Sequence, residues 1–386
     1  MIIKNIVNLN KCDYPEIFKL SEYAFQYKLD KESYAKKCSE ADRHKIYGYK
    51  IANKLAGKLH IIPLEVFIEE EIFTMGGISS VATWPEHSGN KIAEKLIKQS
   101  LQDLQKNNTT LAYLHPFNAG FYRRFGFEFA FNSVNYIIPI EKLRHDWKKL
   151  GFIERDSINL DELNQVYEIF IQQFNGGLKR DEKWWQERVL TDNQAETILI
   201  KDDNGTPQAY LIYKYKENCL EVIEMAYSNQ AYKESIYHFI MKHQSSIKEV
   251  KISTYESDLL DYIVSDSTFS KNITTYFMAR IVSLQSFLEK YPFKIVGNEY
   301  INLFVQDDFL PDNTGFYQVL DNKVIRKEVT DQNYLVINIS DLAALLMGYK
   351  TIKELQTLDR IQGNEQEINK LKLSFNPKNT YLLDYF

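Results

Sequence analysis

The chain has 386 residues, a formal net charge of −5 and 44% hydrophobic side chains, 14% of the total being aromatic. It is too long for one ordinary domain and apolar enough for two or three cores. No run of about 18 apolar residues is present to span a membrane, and no long basic block is present to hold nucleic acid. Its three scattered cysteines, Cys12, Cys38 and Cys219, fit neither a disulfide framework nor a zinc site and point to a reducing cytoplasm.

The opening stretch, MIIKNIVNLNKCDY, reads as a first strand rather than a signal peptide, lacking a long apolar segment and a small-residue cleavage site. Residues 1–27 are expected to form that strand and then a helix whose apolar face is Leu20, Tyr23, Ala24 and Phe25. A polar helix is expected over 31–39, then strands over 44–51, 55–67 and 71–81, where Val66, Ile68 and Ile72 are good strand formers. The next segment reads MGGISSVATWPEHSGNKIAEKLIKQSL. Its strand pattern breaks at Pro85 and Gly89, after which Ile92, Leu96, Ile97 and Leu101 recur on one face of a helix. A short buried strand over 111–114 stops at Pro116, a turn of helix carries Phe121 and Tyr122, and Gly126 lets the chain turn into a strand over 129–138. That strand ends at Pro139 and is expected to be the last of the first domain. A strand–loop–helix unit of this kind offers backbone N–H groups at the positive end of a helix dipole, which suits a pyrophosphate-bearing ligand.

Residues 143–156 are charged and read as a connector. The element order then repeats: helices over 160–174 and 181–190, strands over 196–201, 208–216 and 221–227, a helix over 232–241 and a strand over 250–254. Asp202-Asp203-Asn204-Gly205 is a hairpin signal between the first two of these strands. This second unit lacks the Gly-bearing loop of the first. A third section is expected from 278–288 onward, with strands over 300–305, 315–320 and 324–329 and helices over 340–347 and 351–358. Ser340 stands where an N-cap would. The wholly apolar 342–347 reads as a core helix, with a lipid-binding groove as the sharper alternative.

The order MGG–S–V–x–x–x–P, a helix, and then FYRRFGFE resembles the GNAT acyltransferases and, within them, the enhanced intracellular survival (Eis) family. FYRRFGF is the most specific part. DLAALLMGYK and LLDYF near the end resemble the sterol-carrier-protein-like C-terminal domain of the same family. The resemblance implies an α/β (α+β) fold. A GNAT domain with an acetyl-CoA site would occupy 1–145, a second GNAT-like domain without one 146–284, and a sterol-carrier-protein-like domain 285–386. It implies an N-acetyltransferase that moves acetyl from acetyl-CoA directly onto a primary amine of an aminoglycoside-like cation, a polyamine or a lysine side chain. It further implies no metal, no nucleic acid or membrane partner, and a homo-oligomer, a hexamer in the best-known members. A mildly acidic chain is compatible with a small cationic partner.

The same resemblance distributes roles. Val81, Ala82 and Thr83 would lie beside the thioester, with a backbone N–H polarising its carbonyl. The family loop carries an arginine, a glycine three residues on and a small residue two further. Aligned on Pro85, this chain has Ser88, Lys91 and Ala93 there. Two positions depart from the pattern, which leaves open a catalytically silent member that binds a ligand or partner. Gly89 and Asn90 complete the loop, and Lys91 can replace part of the missing charge. Tyr122 is the expected acid for the departing thiolate. Phe386 would bring its α-carboxylate into the first domain's cleft as the base, burial raising its basicity. His115 is a structural histidine or an alternative base, and His87 faces phosphate or water. Trp184, Trp185 and Glu187 read as a packing edge or a pocket wall. The acidic runs 69–71 and 307–308 read as solvated.

Overall fold

The computed structural model describes residues 5–143, 146–155, 158–295, 299–320, 323–328 and 333–386. Its first sheet begins as an antiparallel meander of β1 (Ile6–Leu9), β2 (Lys45–Ile51), β3 (Lys54–Ile68) and β4 (Glu71–Thr83). β5 (Leu111–Leu114) joins parallel to β4. A parallel pair needs a crossover, which α3 (Ile92–Lys106) supplies. Ile92, Leu96, Ile97 and Leu101 are all buried, as their spacing predicts. Burying each such side chain contributes about 1.5–3 kcal/mol. Before the meander closes, α1 (Tyr14–Phe25) and α2 (Lys31–Ala41) cover the sheet's other side. The α1 face differs from expectation. Tyr14, Ile17, Phe18, Leu20 and Ser21 are buried, whereas Tyr23 and Phe25 are 55% and 47% exposed. The helix starts at Tyr14, so the i, i+3, i+4 stripe counted from there leaves the last turn overhanging the sheet.

The chain then exchanges strands between domains. After the short α4 (Ala119–Arg123) and β6 (Glu128–Phe129), β7 (Asn132–Pro139) leaves the first sheet. It pairs with Glu249–Thr254 and Ser270–Thr275 of the second. In return Met278–Ile281 inserts between β5 and β6. The strand expected to close the first domain thus belongs to the second sheet, and the segment expected to open the third section completes the first. Alternation along 132–139 specifies a strand but not its partner. The second sheet otherwise repeats the first, with Cys219–Tyr227 parallel to Glu249–Thr254 across the helix Gln230–Met241. The five-stranded third sheet carries Ile339–Met347, buried along nearly its whole length against Met278–Ile281. Its cap is Asn338, whose Oδ1 accepts from the Ser340 N–H at 3.1 Å, two residues earlier than expected. The expected boundary at 145, part of the charged connector, and the expected strand end at Val329 lie outside the described residues.

Ion pairs hold the three parts together. Arg280, on the inserted strand, is buried and donates to Asp307 at 2.6 Å and to the Phe125 carbonyl. Asp307 is therefore a buried counter-ion rather than part of a solvated run; Asp308 alone faces solvent. Glu69 likewise accepts from Asn175 Nδ2 and from the Lys378 N–H, each at 2.8 Å. The C-terminal stretch crosses the second domain, where the Asn175 N–H donates to the Asn379 carbonyl and the Asn175 carbonyl accepts from the Tyr381 N–H. It then buries Asp384, which accepts from Arg180 Nε at 2.9 Å and Trp184 Nε1 at 2.6 Å. Arg180 also forks onto Glu224, both bonds at 2.7 Å. Arg180→Met would leave two buried carboxylates without their cation. A loss of about 3–5 kcal/mol is expected, read as a lowered midpoint in urea unfolding; an unchanged midpoint would refute the anchoring role.

Candidate active site

β4 and β5 pair only as far as Gly77 and Tyr113. Beyond that point β5 turns away at His115-Pro116 while β4 runs on to Thr83. A bulge at Ser80, whose φ is +54°, shifts the β3–β4 register between Lys58 and His60 and bends the strand. Among the described residues, 78–83 of β4 have no strand on their β5 side. An open strand edge is a row of backbone donors and acceptors. The chain next makes a tight turn over Pro85–His87, passes Gly89 at φ +83° with open space around it, and enters α3 through Lys91 at φ +54°. No side chain caps α3, so the N–H groups of its first turn are available to an anion. Lys95 Nζ donates to the Asn90 carbonyl at 3.1 Å and ties the loop back.

Two neighbouring glycines let both faces of β4 be used. A Cβ at Gly76 would lie 2.7 Å from Leu104 of α3, and one at Gly77 would lie 2.7 Å from the Phe386 ring. Phe386 packs there against Phe277, ring centroids 4.9 Å apart, and Trp184 at 6.2 Å. Tyr385 stacks on His115 at 5.2 Å. Tyr122, on α4, is buried among Phe117, Phe121 and Phe127. Asn118 caps that turn by accepting from the Phe121 N–H at 2.9 Å. Burial pushes the Tyr122 phenol well above its usual range, so it remains a proton donor at neutral pH. Tyr122, Phe386 and Val81 line one cleft of about 550 Å³ together with Ser79, Ser80 and His115.

The far wall of that cleft holds residues that sequence reasoning passed over. Lys58 is fully buried and donates to Ser80 Oγ at 2.6 Å and to the Ser80 carbonyl at 3.0 Å. Its Nζ lies 3.4 Å from His60 Nε2, and His60 Nδ1 lies 3.2 Å from His44 Nδ1. Burial, with the Lys37 charge second, pulls the Lys58 amine down to about 7. Burial and the surrounding cations pull His44 down to about 3 and His60 well below its usual value, so both imidazoles are neutral at pH 7. Glu40, also on this wall, is engaged by Lys37 at 2.8 Å and by Arg188 at 2.9 Å. The available signal was Lys58 and His60 two residues apart in a stretch otherwise free of polar side chains from Leu55 to Leu64, a polar pair on one buried face.

The structure thus brings Val81, Tyr122 and Phe386 to one cleft. Ala82, Thr83, Ser88, Gly89, Asn90, Lys91 and Ala93 lie along the adjoining strand end, loop and first helical turn. Arg123 is held by Glu128 in a two-bond fork at 2.8 Å, and Arg124 lies over the Phe121 and Phe125 rings. Trp184 anchors the tail, Trp185 donates to Asn164, and Glu187 accepts from Ser39. Among the described residues no group of three or more His, Cys, Asp or Glu could hold a metal, and no helix is long and apolar enough to cross a membrane.

Residues 5–130 match the family model of an acetyltransferase (GNAT) domain, 176–281 match a second GNAT-domain model and 284–383 match a sterol carrier protein domain. Among solved structures, a conserved protein of Enterococcus faecalis described as a probable N-acyltransferase is 26% identical over the full length of both chains, with a TM-score of 0.93. A GCN5-related N-acetyltransferase from Anabaena variabilis is 22% identical over 99% of each chain, with a TM-score of 0.86. Eis1 from Mycobacterium abscessus shares the fold at 16% identity over 99% of this chain and all of its own, with a TM-score of 0.82. No curated protein matches the chain. If Lys91 at the mouth of α3 neutralises phosphate, Lys91→Ala weakens coenzyme A binding severalfold at low salt and progressively less as salt screens the charge. Calorimetric titration at two ionic strengths measures this, and equal affinities for both proteins at low salt would remove the role.

Proposed function

From its two GNAT acetyltransferase domains followed by a sterol carrier domain in an Eis-like order, which make the chain a GNAT-type acyltransferase, we propose that it transfers the acetyl group of acetyl-CoA directly to a primary amine. One observation carries the reading: an open β4 edge and an uncapped helix N-terminus adjoin a cleft lined by both Tyr122 and Phe386. Acetyl-CoA supplies the acyl carbon as an activated thioester. The loop Ser88, Gly89, Asn90, Lys91 and the first turn at Ala93 hold its pyrophosphate. Backbone N–H groups along Val81, Ala82 and Thr83 polarise the carbonyl oxygen.

An ammonium sheds two protons to become an amide nitrogen; one ends on the thiol sulfur and the other leaves to water. Following the family resemblance, we assign the first removal to the α-carboxylate that Phe386 would carry. An ordinary α-carboxyl titrates at about 3.5 and is a weak base. The Phe386 ring is seated against Phe277 and Trp184, which brings the residue to the wall of the cleft. Tyr122, kept protonated by burial, is the group that delivers a proton to the departing sulfur. The acceptors implied by the family resemblance, an aminoglycoside-like cation, a polyamine or a lysine side chain, share the primary amine this scheme requires. Three free thiols support a reducing, cytoplasmic setting, and the resemblance supports a homo-oligomer.

The test is CoA release from acetyl-CoA across a panel of amines, beside the melting temperature. Saturation with a hundredfold excess over the dissociation constant stabilises the fold by about 2.7 kcal/mol. Stabilisation with no amine-dependent release would favour the silent, ligand-binding member. Tyr122→Phe is expected to cut turnover about a hundredfold while keeping the acetyl-CoA-induced rise in melting temperature; near-normal turnover would make Tyr122 a packing residue. Adding a few residues after Phe386 moves the carboxylate while leaving the Asp384 anchor in the sequence, and most transfer activity is expected to vanish. An extended protein with full activity would pass the base role to His115 or a water chain.

A further inference from the structure

Resting on the transferase reading, we propose that the acceptor is a monoamine carried on an apolar or aromatic body, not a polycation. The first argument is charge. Among the described residues lining the cleft, Glu40 is the only acidic side chain. Lys37 and Arg188 already occupy its carboxylate. Those two cations outnumber it on the same wall, and Lys58, buried behind Ser80, is held by the Ser80 hydroxyl and carbonyl beside His60. His44 and His60 are neutral and add no anion. One ammonium can be matched by the Phe386 carboxylate. A second or third, as in a polyamine or an aminoglycoside, meets the excess of positive charge that Lys37 and Arg188 leave on this wall, and like charges repel.

The second argument is surface. Phe25 and Phe117 stand at the cleft 47% and 73% exposed, with Phe18 and Tyr27 deeper in the same wall. Phe25 is the end of α1 that overhangs the sheet, so about half of its surface stays out of the core. Large aromatics gathered around one opening mark a binding surface rather than scattered exposure. An aromatic or alkyl body on the acceptor would cover them.

The experiment measures kcat/KM, from CoA release, for 2-phenylethylamine and tryptamine against spermidine and kanamycin. The aromatic monoamines are expected to be preferred by about tenfold or more, the scale set by filling or leaving empty an apolar pocket. Equal or better use of spermidine or kanamycin overturns the proposal. Phe25→Ala is expected to raise KM for 2-phenylethylamine severalfold with the acetyl-CoA affinity retained; an unchanged KM counts against it. Lys37→Glu is expected to raise the use of spermidine relative to 2-phenylethylamine, and an unchanged ratio also counts against it. Amine binding to the CoA-loaded protein, followed by thermal shift, separates the two levels. If no amine releases CoA, the transferase reading fails, yet stabilisation by 2-phenylethylamine and not by spermidine still supports the acceptor class, and the reverse order still overturns it.

Discussion

A single buried guanidinium fixes the path of the stretch that lines the cleft. Arg180 divides its donors between Glu224, in the second domain's sheet, and Asp384, two residues before the last. The Tyr167 and Trp185 rings flank it, their centroids 3.9 and 4.6 Å from its central carbon. A guanidinium removed from water is tolerable only where its fork is filled, and Asp384 fills the half that Glu224 leaves. With Asp384 fixed, the next two residues have little choice. Tyr385 reaches His115 and Phe386 drops onto Gly77. An ion pair in the second domain thereby supplies a wall of the first domain's cleft.

The cleft itself comes from a sheet that fails to close. The bulge at Ser80 and the departure of β5 after Tyr113 leave the end of β4 unpaired on one side. Gly76 and Gly77 then do opposite jobs on opposite faces, one admitting Leu104 of the crossover helix and the other the Phe386 ring. The strand is held from behind by its helix and from the front by the chain's own tail, and its free edge faces the opening.

Interlocking replaces simple docking of domains. β7 and Met278–Ile281 trade sheets, so neither sheet of the first two domains is complete from one continuous segment. Arg280 on the traded strand bonds the Phe125 carbonyl, three residues beyond Tyr122, and takes its counter-ion from Asp307 in the third domain. Ile339–Met347 lies on the same strand, within one core that includes Leu111, Ala279, Leu345 and Phe386. The third domain is therefore a structural wall for the first whatever else it binds.

Local pattern was enough for the elements and for part of the site. The helix stripe from Ile92 to Leu101 and the strands over 54–83 follow from periodicity. So does the hairpin turn at Gly205, because each is decided by neighbours in the chain. Motif resemblance supplied Tyr122, the loop to α3 and Phe386. Other features were decided only by tertiary structure, because they depend on partners far away in sequence. An alternating segment such as 132–139 carries no mark of which sheet it joins. Asp307 looks like a solvated acid until Arg280 is placed beside it. Tyr23 and Phe25 look like core until the helix is seen to overrun the sheet. Lys58, His60 and His44 become one hydrogen-bonded group only when β3 pairs across the Ser80 bulge and the turn after α2 folds over it, and no spacing in the sequence encodes that meeting.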